Sequence, residues 1–302
     1  MAATEATQAA GAPETATHPG PEVLAYRAVL VPIDGSMLAE LALGPAFWLA
    51  RRFGAEVHAV AVAARPERPW LARYLAALTV RWPELPVRQP QQRDAVAGVR
   101  EAADALGPAL LCMATHRWNR GHPIFGTGFA EVAAHTGRPL VAVGAHAHVP
   151  PDGDDGRRRI VACVDGTPAA EAVLADAAAW ARHRGWRLSL VTVAEPAPAS
   201  IVPGAHRYRA FGPDDPDAYL AGLRDRPELA GVDVDTAIVW DPLSPRDGLL
   251  GHLAERPATL LALATQARRG AARLRRGNET AEIIHDSPVP VLVRPLGHPG
   301  TS

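Results

Sequence analysis

YRAVLVPIDGS, residues 26–36, decides the fold, because it returns as RRIVACVDGT at 158–167. Each is a short apolar run that ends in an acidic turn with glycine. A run without polar alternation suits a strand covered by helices on both faces of a parallel sheet. Further along, LLCMATHRWNRGHPIFGTGFAEVAAHTGRPLVAV at 110–143 returns as LLALATQARRGAARLRRGNETAEIIHDSPVPVLV at 260–293, a strand, loop, helix and strand each time. One α/β unit is therefore written twice, and function is to be sought where the copies keep or lose the same polar positions.

Around these anchors the first copy alternates strand and helix. Strands are expected at 28–33, 56–63, 87–91, 110–114 and 140–143, and helices after Ser36, at 71–79, at 95–106 and at 128–135. Ser36 caps the first helix and Gly54 stops it, while Pro45 removes a backbone donor and is expected to bend it. The second copy repeats the order: strands at 160–164, 187–194, 234–240, 259–264 and 289–293, and helices at 168–183, 246–256 and 277–285, with a long interruption after 194. YLAALTVRWPELPVRQPQQRD at 74–94 matches YLAGLRDRPELAGVDVDTAIVWD at 219–241, which supports duplication. The class is α/β, two open five-stranded parallel sheets with helices on both faces, since parallel neighbours need helical crossovers.

The expected organisation is a disordered tail at 1–24, a first domain at 25–145, a linker at 146–158, a second domain at 159–296 with an insertion at about 195–218, and a short tail at 297–302. Two domains of this size can each bury a core. The 31 Lys and Arg against 32 Asp and Glu argue against a dedicated nucleic-acid binder. Cys112 and Cys163 lie in apolar runs and read as buried thiols. The opening MAATEATQAAGAPETATHPG lacks the basic start and apolar stretch of a secretory signal, and no apolar run approaches membrane-spanning length, so a cytoplasmic protein is expected. The histidines show no zinc spacing, and GxSxG, Walker and GxGxxG motifs are missing, so no catalytic residue and no metal is assigned.

Candidate binding residues fall at the carboxyl ends of the strands, where parallel sheets hold ligands. Asp34 and Asp165 follow the first strand of each copy and could either accept hydrogen bonds from a ribose or base or simply start a helix. The loop after the fourth strand reads Ala114-Thr115-His116-Arg117 up to Gly126-Thr127 in copy one, and Ala264-Thr265-Gln266-Ala267 up to Gly277-Asn278 in copy two. Small residues entering a helix expose N–H groups suited to phosphate, and Thr127 or Asn278 could cap the helix or donate to it.

The Asp-Gly-Ser/Thr turns, the Gly-plus-polar pair that opens the last helix and the endings RPLVAV and VPVLV together resemble the universal stress protein domain. The whole chain is similar to its tandem form known in actinobacteria, over about 26–144 and 158–295. The resemblance implies a Rossmann-like fold akin to the adenine-nucleotide α-hydrolases, and terminal strands that exchange across a two-fold interface. It also implies adenine-nucleotide binding through Gly, two residues, Gly, nine residues, then Gly and Ser or Thr. Copy two keeps that spacing with Ala264, Ala267, Gly277 and Asn278, whereas copy one has Ala114, Arg117 and only eight residues before Gly126-Thr127. Arg117 either intrudes where a side-chain-free backbone would approach phosphate or offers its own guanidinium to it, and copy one is expected to be degenerate. Copy two, with Asp165, is expected to retain weak ATP or ADP binding; its Arg268, Arg269, Arg273, Arg275 and Arg276 cluster could hold a polyphosphate or another acidic partner, or form a solvated basic loop.

Two classes stay open. One is a nucleotide-responsive stress regulator with no more than slow, incidental ATP hydrolysis. The other is a tandem scaffold that recruits a protein partner. Both include pairing of the two domains within the chain and leave room for a homodimer; neither involves a membrane.

Overall fold

The computed structural model describes residues 25–61, 69–90, 94–115, 132–133, 139–149, 158–195, 212–266 and 279–296. In the first half the strands are β1 Ala28–Ile33, β2 Glu56–Ala61, β3 Val87–Arg88, β4 Ala109–Ala114 and β5 Leu140–Val143. The helices are α1 Leu43–Phe53, α2 Pro69–Arg81 and α3 Ala95–Leu106. The second half holds β6 Arg159–Cys163, β7 Arg187–Ala194, β8 Val234–Trp240, β9 Leu260–Gln266 and β10 Val291–Leu296. Its helices are α4 Pro168–Glu171, α5 Leu174–Arg184, α6 Pro216–Arg224, α7 Pro245–Glu255 and α8 Glu279–Asp286. Of the helix expected at 128–135, Val132 and Ala133 are helical and the rest lies outside the described residues.

β1 is buried along its whole length because both faces are covered. Val29, Val31 and Ile33 pack with Leu43, Trp48 and Leu49 of α1 and Leu71 and Leu78 of α2, while Leu30 packs on the other face with Val96 and Val99 of α3. The second half repeats this, with α5 and α6 on the first face and α7 and α8 on the other.

The two parallel half-sheets are not separate. They form one ten-stranded sheet in the order β3-β2-β1-β4-β5-β10-β9-β6-β7-β8. The seam is antiparallel, with Leu140 opposite Val293, Val141 opposite Leu292 and Ala142 opposite Val291. The expected strand exchange does not occur: β5 stays parallel to β4 and β10 parallel to β9 within their own halves. Side-by-side pairing already satisfies both edges, so no crossing over is needed.

Other expectations need correction. Pro45 does not bend α1, because a 3-10 turn at Ala39–Ala42 precedes it and the helix proper starts at Leu43. Pro45 thus falls in the first turn, where N–H groups have no intrahelical acceptor. Ser36 accepts from Ala39 N–H at 3.1 Å and serves that turn. The helix expected at 168–183 is broken into α4 and α5. The interruption after 194 holds α6, the counterpart of α2, so the element absent from the reading of 195–233 is present.

Contacts in two further places tie the halves together. Around the α1–α5 face, Trp180 Nε1 donates to Tyr26 Oη at 3.3 Å, and Phe53 stacks on His183 and meets Trp180 edge-on. On the opposite side, the chain after β5 runs against the end of α8: a Cβ at Gly144 would lie 2.4 Å from the His285 carbonyl oxygen, and His148 N–H donates to the Pro288 carbonyl at 2.9 Å. Ala147 and Val149 pack on the core, so the stretch expected to begin a linker is docked up to residue 149.

Candidate functional site

In each half the crossovers change face between the first and fourth strands, which lie side by side. A crevice at the carboxyl ends of β1 and β4, and of β6 and β9, is the ligand position this topology creates. Asp34 and Asp165 stand exposed at those ends.

Both carboxylates are engaged locally. Asp34 Oδ1 accepts from Ser36 N–H at 2.9 Å. Asp165 Oδ1 accepts from Thr167 N–H at 3.0 Å and from its hydroxyl at 2.6 Å, and Thr167 in turn accepts from Ala170 N–H at 3.2 Å. Each acid therefore shapes an Asx turn that launches the next helical turn. The helix-starting role is made by one oxygen, and the second carboxylate oxygen has no partner among the described residues.

What lies over the two turns differs. Gly35 has φ +89°, and a Cβ there would fall 2.2 Å from the Trp70 indole, so the ring of α2 rests directly on the first turn. Gly166 has φ +85°, and among the described residues the nearest group to its Cβ would be Pro213, at 3.3 Å. No local signal in the sequence marks Trp70; the contact joins segments 35 residues apart.

Beneath each turn lies a duplicated polar network that the repeat alignment could have found. Arg81 binds Glu40 at 2.6 Å, with the Tyr74 hydroxyl buried beside that carboxylate. In the second half Arg226 binds Glu171, whose other oxygen accepts from Tyr219 Oη at 3.0 Å. Burial first and the glutamate second raise both tyrosine pKa values, so both hydroxyls stay protonated. These residues fasten α2 and α6 against the helical turn that each aspartate starts.

The loop candidates are placed in part. Ala114 ends β4 and Ala264 lies inside β9, two residues before its end, and both pack on the core cluster of the α1–α5 face. Thr115 is buried, its hydroxyl donating to the Val143 carbonyl at 3.3 Å. Arg117, Gly126, Thr127, Ala267, Gly277, Asn278 and the arginines from 268 to 276 lie outside the described residues. Glu279, which sequence reasoning also missed, opens α8 at the second crevice. Its pKa is raised, by burial first and then by Glu282 and Asp247. Burial, with Asp165 and Glu279 adding to it, pushes the Cys163 thiol up to about 12, which excludes a reactive thiolate there. Among the described residues no group of three or more His, Cys, Asp or Glu could hold a metal ion, and no helix is long and apolar enough to cross a membrane.

The chain matches the universal stress protein family over residues 25–94 and 156–295. It belongs to that family. The match takes in most of the second half but stops in the first before the stretch that carries Arg117 and the shortened loop. A universal stress protein from Archaeoglobus fulgidus DSM 4304 superimposes with a TM-score of 0.58 at 17% identity, covering 90% of this chain and 97% of that one. A putative universal stress protein from Pseudomonas aeruginosa UCBPP-PA14 gives 0.52 at 16% identity, covering 90% and 94%. Such coverage shows a shared tandem architecture, in proteins from an archaeon and a pseudomonad. Among curated proteins no match was found.

Proposed function

We propose that this universal stress protein is a non-catalytic regulator whose second half holds ATP or ADP weakly and whose first half has given up that role. One observation carries the asymmetry: the Trp70 ring presses on the first turn, whereas among the described residues the nearest group to the second, Pro213, stands farther off. In this reading Asp165 receives the ribose or base through the oxygen that has no partner among the described residues, and Ala264, Ala267, Gly277 and Asn278 line the phosphate path. The arginines at 268–276 supply charge. Glu279 opposes them, since a carboxylate at the first turn of α8 competes with phosphate for the positive helix end. That opposition is why the binding is weak. Asp34, Ala114, Arg117, Gly126 and Thr127 form the degenerate counterpart, and the first half then serves as a scaffold for a protein partner.

Calorimetric titration of the full chain with ATP and ADP tests this. A single saturable site with Kd of about 0.1–1 mM, equivalent to about 4–5.5 kcal/mol, is expected. Asp165→Ala should abolish it and Asp34→Ala leave it unchanged. Absence of saturable heat up to several millimolar, or loss on Asp34→Ala alone, would overturn the proposal.

A further inference from the structure

The two outer edges of the sheet are built differently although they come from duplicated units. At one end β3 has two residues, Val87 and Arg88, with Pro86 before it and Pro90 shortly after. Short length and proline are the usual means of keeping an edge from pairing. At the other end β8 runs for seven residues, VDTAIVW, without proline, and among the described residues nothing pairs with its outer side.

The backbone direction of that edge is defined. Leu188 N–H donates to the Asp233 carbonyl and Asp241 N–H to the Ala194 carbonyl, so odd-numbered residues from 233 to 241 point their polar groups at β7. The even-numbered residues Val234, Thr236, Ile238 and Trp240 therefore turn theirs outward. Beside this row lies a groove of about 660 Å³ between β8 and α7, lined by Trp240, Asp241, Gly251, His252, Glu255 and Arg256. His252 is 9% exposed and its Nε2 has no hydrogen-bond partner among the described residues. Trp240 is 54% exposed and Leu243, just past the strand, 79%.

We infer that two copies of this chain pair through β8, antiparallel across a two-fold axis at Ala237, to give one sheet continuous over both molecules. The strand is complementary to itself in that register. Thr236 faces Ile238 of the second copy and Val234 faces Trp240, and each such pair exchanges two main-chain bonds through its outward groups. Asp235 falls opposite Val239 and not opposite another acid, and its own charge is met by Arg187 at 3.7 Å and Arg159 at 3.8 Å. The mode repeats what the molecule already does inside itself, where β5 and β10 join the two halves edge to edge and antiparallel. Only a register centred on Ala237 pairs all seven residues. A seven-residue strand flanked by Trp240 and Leu243 makes a contact at the small end of stable interfaces, so the dimer should form reversibly with concentration.

Sedimentation velocity on the full chain, over a concentration series from about 1 to 300 μM chosen to bracket the affinity of small interfaces, reads the proposal. The expected result is a rise from one chain to two, lost in Thr236→Pro, which removes an outward N–H from an exposed position, and in Thr236→Lys, which charges the edge. Val80→Lys, a change at an exposed position of α2 in the first half, should leave the rise intact. Ala237→Cys should give a disulfide-linked dimer on mild oxidation, since the axis places the two side chains as a directly opposed pair. A wild-type chain that stays single throughout would overturn the inference and leave the edge to another strand. A dimer that persists in both Thr236 variants, or one that Ala237→Cys fails to cross-link, would equally overturn it.

Discussion

Gly35 and Gly166 occupy the same backbone conformation, φ +89° and +85°, yet substitution should separate them. Alanine at either place carries the left-handed strain of about 1 kcal/mol. At Gly35 the added carbon must also displace the Trp70 ring from 2.2 Å, so Gly35→Ala is expected to cost about 1–3 kcal/mol more than Gly166→Ala, as urea unfolding would measure. Glu279 supplies a second test at this scale. Its raised pKa means that acidification neutralises it earlier than an ordinary glutamate, so nucleotide affinity should rise as pH falls below neutral, and Glu279→Gln should strengthen binding and flatten that dependence in a calorimetric pH series. Global stability has the opposite trend from the histidines. Burial first, then Arg88, lowers the pKa of His58, and burial first, then Arg256, lowers that of His252, against smaller opposing effects from nearby acids. The unfolded chain then binds protons that the folded chain refuses. The histidine contribution is complete above the unfolded pKa near 6.5 and is lost as pH falls through and below it, so the urea midpoint should drop between about pH 7 and pH 5, and less so in His252→Leu.

Elements whose causes are local could be read from the sequence. Helix α3 was bounded correctly at Ala95 and Leu106, because Asp94 caps it by accepting from Ala97 N–H at 2.8 Å and Gly107 follows its end. The β1 run announced a doubly covered strand for the same reason: its composition records its burial. Elements set by distant partners were not legible. The β5–β10 seam aligns segments about 150 residues apart, and nothing within LVAV or VLV states which neighbour lies alongside. Helix α6 is hidden by the inserted stretch in front of it, although Tyr219 aligns with Tyr74 of α2. The candidate site divides along the same line, since the Asp-Gly turns were visible but the Trp70 contact was not. At the seam, Gly144 offers the sharpest element-scale test. Its Cβ would press on two carbonyl oxygens at the end of α8, at 2.4 and 2.5 Å, so Gly144→Ala should destabilise the chain by about 1–3 kcal/mol, measured by denaturant unfolding.

Across the whole molecule, the shared sheet and the aromatic cluster make the halves one mechanical body. Tyr26 is buried deeply enough that desolvation pushes its pKa up to about 12, and its hydroxyl receives the only hydrogen bond described for Trp180 Nε1. Tyr26→Phe strands that buried N–H and should cost about 1–3 kcal/mol. Because the bond joins the halves, the wild type is expected to melt in one transition by calorimetry, and removing the Trp180 ring with Trp180→Ala should cost about 3–5 kcal/mol and split the melt in two. The opposed direction of β5 and β10 carries a spatial result of its own. Strands of the two halves run opposite ways, so Asp34 and Asp165 look out from contrary rims of the sheet, and no single small molecule can touch both. Anything sensed at one rim must therefore be reported to the other through the framework between them.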